Sequence, residues 1–239
     1  MHPRIFKLAT IASALAFQSF MPDAFAWHDK THLTIAEAAG FDLWYSAAAP
    51  DVAKSKSAFG PIESPNHYFN NIANREVDAA MVLGQVARYD TPGDMEGHLF
   101  GAIIGAVRDY RTMKATGKYA RYPLVFCAHY IGDLSMPLHN TPYDDFNKTR
   151  HSINDGVIDS GIRDNIGRIQ GNMTEIIIEN ESDFAREIAV VAESARKLGL
   201  KMRKENRDMT ADEAWQQVTR SASLLKATLA YAEREPSGN

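Results

Sequence analysis

Residues 122–139 read Tyr122-Pro-Leu-Val-Phe-Cys-Ala-His129-Tyr-Ile-Gly-Asp133-Leu-Ser-Met-Pro137-Leu-His139, and His151-Ser-Ile-Asn-Asp155 follows. From Tyr122 to Asp133 the segment is apolar on most faces, which predicts a central helix enclosed by the rest of the chain. Pro137 stops or bends that helix, so His139 follows a kink. Both blocks carry the order His-x-x-x-Asp, and residues four apart share one face of an α-helix. His129 with Asp133, and His151 with Asp155, can therefore each point at one ion. Imidazole nitrogen and carboxylate oxygen form a donor set that zinc accepts at catalytic sites.

Outward from this segment the pattern is helical throughout, and no stretch alternates as strands do. Thr31 is placed to cap a helix through Ile35 and Ala39 that Gly40 ends. Residues 54–65 carry Ser, Gly and Pro and read as a loop. Residues 77–89 have mixed helical spacing; Thr91-Pro92-Gly93-Asp94 then breaks the pattern and starts another helix, with Leu99, Ile103, Val107 and Tyr110 on one stripe. Phe184, Ile188, Val191, Ala195 and Leu198 form a further stripe. Thr210 with Glu213 has the form of a capping box opening the last helix through Val218, Leu225 and Leu229. Residues 235–239 read as a frayed tail. The expected fold is all-α.

Residues 1–26 read as a secretory signal. Arg4 and Lys7 open it, Leu8 to Phe20 is largely apolar, and Ala24-Phe25-Ala26 fits small-x-small cleavage. The apolar run is too short and interrupted for a membrane span. The product expected is an exported protein, periplasmic or secreted, with no transmembrane span in the mature chain. Cleavage would make Trp27 the first residue, with a free α-amine. That amine has a low pKa compared with lysine, so it can bind a metal through nitrogen, and His32 follows five residues later. The plainer alternative is that Trp27 starts a helix and packs its indole.

Residues 27–239 are long enough for one full core and show no linker or repeat. The composition, 45% apolar and 23% charged, is that of an ordinary globular protein. Without residues 1–26 the chain has 24 basic against 29 acidic residues. That balance disfavours a broad basic surface for gripping nucleic acid. Cys127 is the only cysteine, so no intramolecular disulfide can form; its apolar neighbours predict a buried inert thiol.

Two more donors flank the 54–65 segment. Asp51 follows Pro50 and on its own reads as a helix N-cap; His67 follows Ser64-Pro65-Asn66 and could simply pack beside Tyr68 and Phe69. His28 and His98 lack comparable company and read as surface or structural residues.

The order Trp27, His32, Asp51, His67, His129, Asp133, His139, His151, Asp155 resembles the trinuclear zinc site of bacterial zinc-dependent phospholipases C and single-strand-specific zinc nucleases. The block His129-Tyr-Ile-Gly-Asp133-x-x-x-Pro137-Leu-His139 is its most specific part. The resemblance implies a single all-helical domain over residues 27–239 with a trinuclear zinc cleft. It implies three zinc ions: Asp51, His67, His129 and Asp133 on the first, His139, His151 and Asp155 on the second. The Trp27 amine and carbonyl with His32 would hold the third, and Asp133 would bridge first and third. The implied activity is phosphodiester hydrolysis: a zinc-held hydroxide attacks phosphorus in line, with Asp51 orienting or deprotonating the water.

The substrate is expected to be a phospholipid or a single-stranded nucleic acid. The short gap from His139 to His151 and the His151-Ser run are similar to the phospholipase C branch. The close Trp27–His32 spacing is similar to the nuclease branch. Phe69, Tyr143 and Phe146 are candidate aromatics for the zinc mouth. The chain is expected to act as a monomer. A reading from another class is a non-catalytic, zinc-binding exported protein.

Overall fold

The computed structural model describes residues 27–234. The expected signal segment, residues 1–26, and the tail, residues 235–239, lie outside the described residues. The described chain is all-helical. In order the helices are α1 (Asp29–Ala38), α2 (Ala49–Lys54), α3 (Gly60–Glu63), α4 (Ala79–Gln85) and α5 (Leu99–Ala115), then α6 (Arg121–Leu134), α7 (Asp145–Asp155), α8 (Ile166–Asn172), α9 (Glu181–Glu205) and α10 (Ala211–Glu233). Among the described residues none is long and apolar enough to cross a membrane.

Helix α6 is the hub, as its composition predicts. Leu124, Val125, Cys127, Ala128, Tyr130, Ile131 and Leu134 are all buried, and so are His129 and Asp133. Its most extensive neighbour is α5, while α10, α1 and α2 cover other faces. A helix apolar all round leaves its few polar side chains no route to water, so His129 and Asp133 must be satisfied from inside. Beyond Leu134 the chain enters a 3-10 turn, Pro137–Asn140. The Asn140 amide closes it by donating to the carbonyls of Leu134 and Met136, both at 2.9 Å.

Helix α1 reaches α6 through a close approach that only glycine allows. A Cβ on Gly132 would meet Nδ1 of His32 at 2.5 Å, so the bare backbone at Gly132 is what seats the His32 ring on α6. The ring then stacks on His129 with centroids 3.8 Å apart. Gly40, at φ +81, ends the approach of α1 as expected. Helix α7 is tied to the turn after α6 by Asn147, which donates to the carbonyls of Leu138 (2.7 Å) and Pro142 (3.2 Å).

Several local expectations change. Residues 54–65 are not a plain loop: they hold α3 and run into a 3-10 turn, Ser64–His67. Pro61 and Pro65 each occupy a first turn, where the missing N–H forfeits no hydrogen bond. Helix α1 begins at Asp29, and Thr31 sends its hydroxyl to Asp159 instead of capping. Residues 91–98 do not start α5, which begins at Leu99. Gly93 and Gly97 take positive φ there, and the Asp94 carboxylate is occupied by Arg88 and His98.

Candidate metal centre

The nine expected positions are all described, and eight of them fall into three groups, two of which share His129, with the donor atoms of each group within 4.8 Å of one another. One group is Asp51, His67 and His129; another is His32, His129 and Asp133; the third is His139, His151 and Asp155. Each could hold a metal ion. Helix α6 supplies His129 and Asp133, and α7 supplies His151 and Asp155, in both cases from one face. Helix α1 brings His32, α2 brings Asp51, and the turns after α3 and α6 bring His67 and His139.

Asp133 lies between the first two groups. Its Oδ2 is 2.9 Å from Nδ1 of His67 and 3.3 Å from Nε2 of His129, while Oδ1 is 3.3 Å from Nε2 of His32. Asp51 Oδ1 is 3.7 Å from His67 Nδ1 and 3.6 Å from His129 Nε2. Neither oxygen of Asp133 or of Asp155 makes a hydrogen bond, and neither ring nitrogen of His32 does. All three side chains are buried. Buried groups of this kind cost free energy unless something satisfies them, and here their lone pairs converge on shared points.

The imidazole pairs carry the same message. Nδ1 of His129 donates to the Ala47 carbonyl (2.8 Å), and Nε2 of His67 donates to Glu63 Oε1 (3.1 Å). With those hydrogens placed, His129 Nε2 and His67 Nδ1 present lone pairs to each other at 3.2 Å. Likewise Nδ1 of His139 donates to the His67 carbonyl and Nδ1 of His151 to Asn147 Oδ1. Their Nε2 atoms then face each other at 3.0 Å. Two lone pairs at such a distance repel unless a proton or a metal cation lies between them. Ligating histidines characteristically have the second ring nitrogen fixed by a carbonyl or carboxylate in this way.

The electrostatics agree. Burial pushes the Asp155 carboxyl well above the usual range, and the charge of Asp133 adds to it. Burial opposes ionisation of Asp133 as well, but His129 and His139 outweigh it and hold that carboxyl well below the usual range. Burial also works against a charge on His129, yet Asp133 and Asp51 raise its pKa to about 10. For His139 burial prevails and lowers the value to about 4, which leaves a neutral imidazole, the form that binds metal. A divalent cation would supply the positive charge these carboxylates otherwise obtain from protons.

Trp27 is fully buried, and its indole donates to Ser135 Oγ at 3.2 Å. The next backbone N–H, that of His28, donates to the Asp155 carbonyl at 3.4 Å. The chain therefore enters the fold beside the ligand-bearing ends of both α6 and α7. Phe69 is buried in the core, with its ring against Phe100 and its backbone N–H donating to the His139 carbonyl at 2.8 Å. Phe146 is half-buried between the guanidinium groups of Arg150 and Arg203. His28 is half-buried against Gly156. Cys127 is buried, and burial raises its thiol pKa.

Three participants lie outside the sequence-derived set. Glu63 and Asn147 each orient a histidine four residues later, a spacing visible in the sequence once the histidines are known. Lys54 places Nζ 2.6 Å from Asp51 Oδ1 with only 7% of its side chain exposed. Burial works against the Asp51 charge, but His129, Lys54 and His67 together hold its carboxyl well below the usual range. The Asp51, Lys54 and His151 side chains are 11%, 7% and 8% exposed and lie nearest the rim of the centre, while His32, His129, Asp133 and Asp155 are closed off.

No protein-family model matches the chain, and no curated protein matches it.

Proposed function

We propose that the chain is an exported zinc-dependent phosphodiester hydrolase, related to the zinc-dependent phospholipases C and single-strand-specific zinc nucleases. The observation that carries this reading is two pairs of facing imidazole nitrogens, 3.2 and 3.0 Å apart, set among buried carboxylates without hydrogen bonds. Asp51, His67, His129 and Asp133 would hold one ion. His139, His151 and Asp155 would hold a second, and His32 with the Trp27 amine and carbonyl a third, with Asp133 shared between the first and third. Zinc in such a site supplies Lewis acidity and lowers the pKa of water toward neutrality.

The residues at the rim have separate tasks. Asp51 is ionised and partly exposed, so it can orient an incoming water by accepting a hydrogen bond from it, while the neighbours that hold its pKa low make it a weak base. Lys54 beside it offers ammonium N–H donors to the phosphoryl oxygens that gain charge as the phosphorus is attacked. The Glu63, Ala47 and Asn147 contacts keep the imidazoles turned inward, so no reorganisation is required during the reaction.

Of the two substrate classes, phospholipase C-like activity is the first reading, from the short His139–His151 gap and the His151-Ser run. A specific observation favours the second, nuclease reading. The Lys54 ammonium beside Asp51 attracts the further phosphates of an anionic strand and repels a cationic head group. Hydrolysis of a chromogenic choline phosphodiester and of single-stranded DNA, each with and without chelator, decides between them. Chelator-sensitive turnover of either supports the proposal. Turnover of neither by a zinc-loaded chain leaves the non-catalytic zinc-binding reading.

A further inference from the structure

Behind His67, on the side facing away from the clustered donors, a chain of buried polar groups runs toward the surface. His67 Nε2 donates to Glu63 Oε1 at 3.1 Å, and the Tyr130 hydroxyl donates to the same oxygen at 2.7 Å. The Asn66 amide donates to the Tyr130 oxygen (3.2 Å) and to Asp90 Oδ1 (2.9 Å). His98 then spans Asn66 and Asp94 with its two ring nitrogens, each at 2.8 Å. Asp94 is held in turn by Arg88. Glu63, Asn66, His67, His98 and Tyr130 are all buried.

We propose that Glu63 is a positioning residue for the metal centre. It fixes His67 in the tautomer whose Nδ1 lone pair faces Asp51, His129 and Asp133, and the Tyr130–Asn66–His98 chain braces it in turn. This inference rests on the zinc reading above. The physical grounds are directional. A neutral imidazole has one hydrogen and one lone pair, and a carboxylate oxygen that already receives a hydroxyl can only accept. His67 must therefore place its hydrogen on Nε2, which commits Nδ1 to the cluster. Tyr130 belongs to α6, the helix that carries His129 and Asp133. The same helix thus supplies two ligands and the brace for a third. Partners that orient a ligating histidine typically change metal affinity by about 10–100-fold when removed.

The test uses three variants beside the wild-type chain. Glu63→Ala and the volume-preserving Glu63→Leu remove the acceptor, and Glu63→Gln keeps an oxygen in place. Long-range proton–nitrogen correlation spectra of the metal-free proteins report the His67 tautomer, and chelator competition reports zinc affinity. In the wild type and Glu63→Gln, His67 is expected to keep a hydrogen on Nε2, donated to residue 63. Glu63→Ala and Glu63→Leu should show loss of that preference, with one zinc weakened about 10–100-fold and the others retained. Should Glu63→Ala fail to fold, Glu63→Leu gives the same reading. If the wild type binds zinc and the acceptor-free variants keep both its tautomer and its affinity, the positioning role is overturned and the zinc reading stands. If the wild type shows a Glu63-dependent tautomer but takes up no zinc, the zinc reading falls, and with it any role for Glu63 in supporting a metal ligand.

Discussion

Asp133 is the residue on which the centre turns, because its two oxygens face three imidazoles from two groups. Asp133→Asn keeps the shape, removes the charge and points an N–H where a lone pair is required. Zinc affinity and phosphodiesterase activity should both fall by on the order of 100-fold or more, beyond the range for residues that merely orient a ligand, while circular dichroism stays helical. Retained zinc uptake and activity would remove Asp133 as the shared ligand. His98 shows a different outcome of reading side chains one at a time. Its sequence neighbours suggest nothing, yet it is fully buried and both ring nitrogens are engaged. His98→Ala should therefore destabilise the fold by about 1–3 kcal/mol, the cost of leaving buried partners unsatisfied, read as a melting temperature several degrees lower. Neither contact is legible in the sequence: Asp94 lies four residues earlier but outside any helix, where that spacing has no meaning, and Asn66 comes from a distant turn. The ligands show in the sequence because His-x-x-x-Asp is a helical spacing, whereas Lys54 gains its meaning only once α2 is laid against the cluster.

At the scale of elements, the last helix illustrates a start signal that works as its chemistry requires. Thr210 and Glu213 form the capping box, and Arg207 grips both Glu213 oxygens at 2.7 Å. Those contacts, against the smaller effect of burial, lower the Glu213 pKa from 4.5 to about 2. A carboxylate with a depressed folded-state value stabilises the fold above its unfolded pKa and loses that contribution as pH falls through the folded one. The difference in stability between wild type and Glu213→Gln should thus be about 1 kcal/mol near neutrality and should close between about pH 4.5 and about pH 2. Denaturant titrations across that range check it; a constant gap would mean the carboxylate charge is not what holds the cap. The long elements, α5, α6, α9 and α10, were legible because their apolar stripes extend over several turns. Helix α3 and the 3-10 turns were not, since four residues are too few for periodicity and Pro61 and Pro65 look like breakers until they fall in a first turn.

For the whole molecule, the expected export step and the chemistry meet at Trp27. Its indole is locked under Ser135, and the chain beside it is bonded to Asp155. The structure shows the packed indole that the plainer reading expects, and packing and ligation use different atoms of the residue. An added residue ahead of Trp27 would turn the α-amine into an amide nitrogen, a poor ligand at neutral pH. A chain that begins Met-Trp27 and keeps its methionine should lose one zinc and most activity while the seven side chains of the other two groups keep theirs. Full activity with the extension would show that the amine is not a ligand. The central claim, that these nine positions form a trinuclear zinc centre, is tested most directly by elemental analysis of the mature protein after zinc supplementation and removal of loosely held metal. About three zinc ions per chain are expected from the three donor groups; a stable value of one or none would contradict the account.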